Sequence, residues 1–230
     1  MADGRLAQLR ADAKRAGWGR YIKSENDERA LLDGCFVDER MGEHVCQFFA
    51  KRLTLSRGIY EGKPFIFMPW MRDDIVMPLF SWVRPDGRRR FSEAMIWVPK
   101  KNAKTIFVAG LVIYGLDADE EEGAECYSMA NDKKQAGLVF AEASNMVRRN
   151  PKLRAKYKLV PSTKRIVKDT TSWYQALSAD SATHHGISPH FFITDEIQAF
   201  DERGRDRYGA NRFGARQRRN PLKIMISHAG

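Results

Sequence analysis

Apolar positions follow two rhythms along the chain. Between about residues 26 and 55, Leu31, Leu32, Cys35, Val45, Phe48, Phe49 and Leu53 recur at roughly helical spacing, the pattern of helices packed on one side. Gly34 and Gly42 are expected to divide this stretch into two helices, and polar residues 1–24 to form a loosely held lead-in. A turn at "RGIYEGKP" delivers "FIFMPW" and then "MRDDIVMPLFSW". There Ile75, Val76, Leu79 and Phe80 share a helical face that Pro78 should kink. "RPDGRRR" reads as a turn.

After residue 91 the rhythm becomes strand–helix alternation. "AMIWV" is a buried strand, "KTIFVAGLVIYGL" an apolar helix and "AECYSMA" a strand. "NDKKQAGLVFAEASNMVRRNP" is a helix with Ala136, Val139, Phe140, Ala143, Met146 and Val147 toward the core, Asn131 or Asp132 as its N-cap and Pro151 beyond its end. "RIVKD", "WYQALS", "HFFIT" and "LKIMIS" are further strands. Such alternation predicts an α/β fold with a mostly parallel sheet covered on both faces, whose ligands bind beyond the carboxyl ends of the strands.

The chemistry concentrates at those ends. A phosphate loop needs a delivering strand, backbone N–H groups forming a nest, and a Lys-Ser/Thr pair opening a helix. "AMIWV" supplies the strand and Lys104-Thr105 opens the helix. Lys104 would then reach the β- and γ-phosphates, Thr105 would ligate Mg²⁺, and the helix N-terminus would add its partial positive charge. Val98 and Ala103 stand where the G-x-x-x-x-G-K-S/T pattern has glycines. A positive φ at Ala103 would cost roughly 1–2 kcal/mol, so by itself the stretch also reads as a basic turn.

Two later motifs complete the set. "FFITDE" is an apolar strand ending in Asp195 and Glu196, a costly arrangement unless the carboxylates meet a cation or solvent. In a phosphoryl-transfer site Asp195 holds the Mg²⁺ hydration shell beside Thr105, and Glu196 orients and polarises the attacking water. "LKIMISHAG" ends a strand in Ser227 and His228, small polar groups placed to sense the γ-phosphate. Each motif has a plainer reading as a strand exit; in this order, together, they indicate a variant phosphate loop.

Composition narrows the class. Thirty-nine Lys and Arg against 29 Asp and Glu leave a net charge of +10 over 230 residues, a balance that favours polyanionic partners. Cys35, Cys46 and Cys126 form no CxxC pair, so neither a zinc ribbon nor a disulfide framework is indicated. No signal peptide and no membrane-length apolar run is present; a soluble intracellular protein is expected.

With these motifs in place the sequence resembles the large subunit of tailed-phage terminases. "GKPFIFMPWMRDDIVMPLFSW" resembles the family's segment before the ATPase core, where Pro-Trp-Gln contacts adenine; "VPKKNAKT" resembles its variant phosphate loop, typically P-R-K-N-G-K-S/T. "LSADSATHHGISPHFFITDE", "GARQRRNPL" and "ISHAG" resemble the acidic-strand run, the basic segment before the last strand, and the T-T-A-G coupling motif. The match covers roughly residues 40–230. Met71 replaces Gln, Lys100 replaces an Arg implicated in γ-phosphate sensing, and Ser227-His228 replaces Thr-Thr. Lys100 keeps the charge but loses the planar fork.

The resemblance implies a three-layer P-loop NTPase of the additional-strand, catalytic-glutamate type. Residues 1–65 would form a helical lid segment and 66–230 the core, the family's C-terminal nuclease domain lying outside this chain, so nuclease activity is not expected. It implies ATP and Mg²⁺ as cofactors, with nucleotide contacts at Trp70, Met71, Pro99, Lys100, Lys101, Asn102, Ala103, Lys104 and Thr105. Lys100, Lys104 and Glu196 would be catalytic, Thr105 and Asp195 the Mg²⁺ ligands, and Ser227 and His228 the coupling residues. Partners would be double-stranded DNA, the portal of a procapsid, the small terminase subunit and further copies in a ring, a pentamer by resemblance. The setting would be the cytoplasm of an infected bacterium, with no membrane. A helicase-like ATPase on the same core, and a non-catalytic nucleic-acid-binding module, are the alternatives.

Two further features bear on this. Residues 203–219 carry seven arginines against one acid, either a solvated basic loop or a source of DNA contacts and an arginine finger, with Arg212 and Arg216 as candidates. "DADEEE" reads as a solvated acidic turn, and His184, His185 and His190 lack a strong metal-ligand spacing.

Overall fold

The computed structural model describes residues 2–56, 58–99, 102–178, 187–196 and 218–228. The chain forms two compact units, one of residues 1–46 and 67–91, the other of residues 47–66 and 92–230.

The first unit opens with a helix rather than a loose lead-in. α1 (Ala2–Arg15) is followed by a 3₁₀ turn, Gly19–Tyr21, and α2 (Glu25–Leu32). "ADGRLAQLRADAKR" is rich in strong helix formers, and Leu6, Leu9 and Ala13 supply a narrow apolar stripe with Ala13 wholly buried. That stripe is too thin to stand out in the sequence. α2 is capped by Ser24, whose side chain accepts from the Asp27 amide while Asp27 accepts from the Lys23 amide at 2.9 Å, a reciprocal cap. β1 (Phe36–Val37) pairs antiparallel with β2 (Trp82–Val83). Between them run α3 (Glu39–Arg52) and, after residue 67, a π turn, Met71–Val76, leading into α4 (Met77–Ser81). Pro78 lies at the start of α4, where its missing N–H costs nothing. The widened turn before it closes with Met77 N–H on Arg72 O, so the kink becomes a π turn. Gly42 does not divide a helix; it sits inside α3, where a Cβ would lie 2.4 Å from Ser81 Oγ. Tyr21, Leu31, Val37, Met77 and Trp82 form this unit's core.

The second unit is the α/β core. Its strands are β3 (Glu93–Trp97), β4 (Glu125–Ala130), β5 (Lys158–Val160), β6 (Arg165–Val167), β7 (Trp173–Ser178), β8 (Phe191–Asp195) and β9 (Leu222–Ser227). They form a seven-stranded sheet in the order β3-β9-β8-β4-β7-β6-β5, parallel from β3 through β7 and antiparallel at the β6 and β5 end. α5 (Lys104–Asp117) joins β3 to β4, and α6 (Lys133–Arg149) with α7 (Pro151–Lys156) follows β4. Both crossovers step the same way across the sheet, so right-handed connection places α5 and α6 on one face, where they pack on each other. α5 is apolar on every side because it lies between two layers. Phe191 of the sheet meets it at Gly115, and Phe49 from the end of α3 meets it at Gly110. Tyr127, Met129, Leu177 and Phe192 form a separate cluster, with Ile187 packed against it.

Candidate active site

Three parallel strands deliver the site. β9 lies between β3 and β8, with Trp97 opposite Ser227 and Asp195 opposite Ile226. Hydrogen bonds carry the alignment past the strands: Val98 N–H donates to Ser227 O at 3.1 Å, and Glu196 N–H to Ile226 O at 2.9 Å. The carboxyl ends of the three strands therefore stop level with one another. The turn after β3 then opens α5 at Lys104.

That turn keeps the geometry for which glycine is normally required. Ala103 has φ 54° and ψ 24°, left-handed, at the N-cap of α5, and its carbonyl accepts the helix bond from Phe107 at 2.9 Å. Asn102 Nδ2 closes the loop onto Pro99 O at 3.2 Å. The first-turn amides of α5 have no partner within the helix by construction and present an anion-binding end.

Across from the loop, Lys104 Nζ lies 3.6 Å from Glu196 Oε1, and His228 Nδ1 lies 3.5 Å from the same oxygen. Glu196 also has a positive φ of 55°, a strained conformation for a residue with a side chain, which turns the chain just where β8 ends. Asp195 beside it is pushed up to about 6, first by burial and then by the adjacent Glu196 charge, with Lys104 opposing. Lys104 Nζ and Asp195 Oδ1 are both buried and make no hydrogen bond among the described residues. An orphaned ammonium facing a loop built for anions and an orphaned carboxylate held near neutrality ask for an anion and a cation. A Mg²⁺-nucleotide supplies both. One carboxylate and one hydroxyl are a sufficient protein share for Mg²⁺, which keeps water and phosphate as its other ligands; Asp195 and Thr105 have the right chemistry. Among the described residues no group of three His, Cys, Asp or Glu side chains is placed to hold a metal by itself.

Lys104, Asp195, Glu196, Ser227 and His228 are thus gathered at one end of the sheet, with Thr105 next to Lys104 in the first turn of α5. Trp70 and Met71 belong to the first unit, where Met71 is buried. Lys100, Lys101, Arg212 and Arg216 lie outside the described residues, as do His184 and His185.

The acidic stretch after α5 is not a solvated turn. Asp119 is nearly buried and sits 2.8 Å from Nε2 of the fully buried His190, an ion-pair approach outside hydrogen-bond geometry. Arg218 donates to Ser188 O and Gly123 O at 2.8 and 2.7 Å and pairs with Glu125 at 3.2 Å. This network ties residues 119–125 to the amino ends of β8 and β9, away from the phosphate loop. The sequence gives no hint of it, because the partners are distant in the chain. Glu142 was likewise missed: it is buried within α6 and accepts a hydrogen bond from Ser56. Its place beside the core-facing Val139 and Ala143 is the available signal.

Known proteins agree with this geometry. Residues 69–230 match the family model for the terminase large subunit, ATPase domain. The terminase large subunit of Enterobacteria phage HK97 is 31% identical over 188 residues, covering 81% of this chain and 36% of its own length. The crystal structure of the HK97 large terminase superposes with a TM-score of 0.67 at 29% identity, over 81% of this chain and 37% of that one. This chain therefore spans little more than a third of the length of that relative. The fold is a mixed α/β P-loop architecture with a mostly parallel sheet, and the chain belongs to the terminase large subunit family, within its ATPase domain.

Proposed function

We propose that this domain hydrolyses ATP with Mg²⁺ and couples the cycle to driving double-stranded DNA into a procapsid. The observation that carries the reading is the approach of Lys104 to Glu196, 3.6 Å apart, at the mouth of a left-handed loop capping α5. In this reading Lys104 binds the β- and γ-phosphates, aided by the amides of residues 102–105 and by Lys100 and Lys101. Thr105 and Asp195 hold the Mg²⁺, which neutralises charge on the transferring phosphoryl group. Glu196 orients the attacking water and accepts its proton.

The resting ion pair suits this order of events. While Lys104 pairs with Glu196, the carboxylate is occupied; when Lys104 turns to the phosphates, Glu196 keeps His228 as its neighbour. Ser227 and His228, on the strand between the loop and the acidic pair, are then placed to register the state of Glu196 and pass it on. The net charge of +10 supports a polyanionic partner. Arg212 or Arg216 is assigned as the finger reaching a neighbouring copy in a ring, with portal and small subunit as the further partners.

Calorimetric titration of Mg²⁺-ATPγS tests the site. This chain should bind at one site, and Lys104→Ala should lose that binding; equal affinity in the two proteins would overturn the assignment. Glu196→Gln should keep nucleotide affinity while hydrolysis in the assembled ring falls by about 10²–10⁴-fold.

A further inference from the structure

Beside the phosphate loop, the first turn of α5 and the middle of α6 enclose a cavity of about 310 Å³. Residues 102–105 form one wall; Ile106, Leu138 and Glu142 form the rest. Phosphate chemistry has no use for those three. Ile106 and Leu138 are apolar, and Leu138 is 39% exposed on a helix otherwise well covered. Glu142 is only 4% exposed, and its Oε2 accepts a hydrogen bond from the Ser56 hydroxyl. A carboxylate has about four lone-pair sites, so one bond from Ser56 fixes its orientation and leaves capacity for a ligand. Facing a cavity, such a group favours a donor and penalises an acceptor.

A cavity next to a phosphate loop, apolar on two sides and ending in an oriented acceptor, has the character of a base pocket. The position that would otherwise read the base, Met71, has only a thioether and is buried in the other unit.

We propose that this cavity takes the purine of the bound nucleotide, with Ile106 and Leu138 against its faces and the Glu142 carboxylate accepting from the exocyclic 6-amino group. Adenine is thereby selected over 6-oxo purines, whose carbonyl oxygen would face the carboxylate. Ser56 acts as a positioning residue that holds Glu142. The inference rests on the nucleotide reading given above and specifies which side chains choose the base.

The test compares ADP, IDP, GDP and Mg²⁺-tripolyphosphate as ligands of this chain and of Glu142→Gln, Leu138→Ala and Lys104→Ala. The native chain should bind ADP about tenfold or more tightly than IDP or GDP. Glu142→Gln should bring those ratios close to one, because an amide can turn either a donor or an acceptor to the base. Tripolyphosphate affinity should not change in that variant, which also reports that it is folded. Leu138→Ala should weaken all three nucleotides by a few-fold and leave tripolyphosphate alone. Equal native affinities, a preference for GDP, or an ADP preference surviving Glu142→Gln would overturn the base assignment while the phosphate loop stands. Tripolyphosphate binding that survives Lys104→Ala would instead overturn the nucleotide reading, and this inference with it.

Discussion

At position 103 an alanine adopts φ 54°, a conformation that costs an L-residue roughly 1–2 kcal/mol. The loop tolerates this because both its ends are fixed, at Val98 by the bond to Ser227 and at Lys104 by the helix. Glycine would enter the same conformation without the clash but would lose more entropy on folding. Ala103→Gly should therefore raise stability by about 0.5–1 kcal/mol, measured by urea denaturation, with nucleotide affinity unchanged or improved. A loss of stability would mean that the loop relaxes out of the left-handed region. The sequence allowed the loop to be located from Lys104 and Thr105 alone. Whether Ala103 could serve where glycine is usual was a question of backbone geometry that no residue type answers.

At the scale of elements, α5 shows how packing decides what pattern suggests. Its residues are apolar in every direction, so periodicity could identify a buried segment but not a face. The two glycines mark the faces: a Cβ at Gly110 would lie 2.3 Å from Phe49 Cε1, and one at Gly115 would lie 2.8 Å from Phe191 Cγ. Gly110→Ala should cost about 1–3 kcal/mol through overpacking, offset in part by the better helix propensity of alanine, which is worth about 1 kcal/mol. A net loss in thermal or urea unfolding is the outcome to check; a gain would show that Phe49 moves freely aside. α1 went unread because three modest apolar positions carry it. The break expected at Gly42 failed because that glycine answers a close approach from Ser81, not a turn. Both depend on neighbours far along the chain.

At the scale of the whole molecule, the two units keep separate cores, so a change in one need not be felt by the other. Asp27 offers a way to see this. Burial pushes its carboxyl up, but hydrogen bonds from Arg90, the Lys23 amide and Ser24 outweigh that and hold it below the usual carboxylate range. A depressed folded value contributes stability above the unfolded pKa of about 4, and that contribution disappears as pH falls through the folded value. Asp27→Asn should therefore lower the stability of the first unit by about 1–2 kcal/mol at neutral pH and make little difference in acid. Hydrogen exchange across α2, compared with β4 and β8, measures it; equal loss of protection in both units would show that they unfold together.

The sequence by itself determined the α/β alternation, the parallel strands, the N-cap of α6 at Asp132 and the location of the phosphate loop and acidic strand. These are local matters: periodicity, caps and strand-end chemistry are written within a dozen residues. Only the tertiary structure decided that β9 separates β3 from β8, bringing Lys104, Glu196 and His228 within 3.6 Å of one another in pairs. It alone buried the acidic turn against His190 and Arg218, and set Glu142 on a cavity beside the loop. Strand order, and the desolvation of a charge by residues a hundred positions away, are properties of packing. No window of sequence contains them.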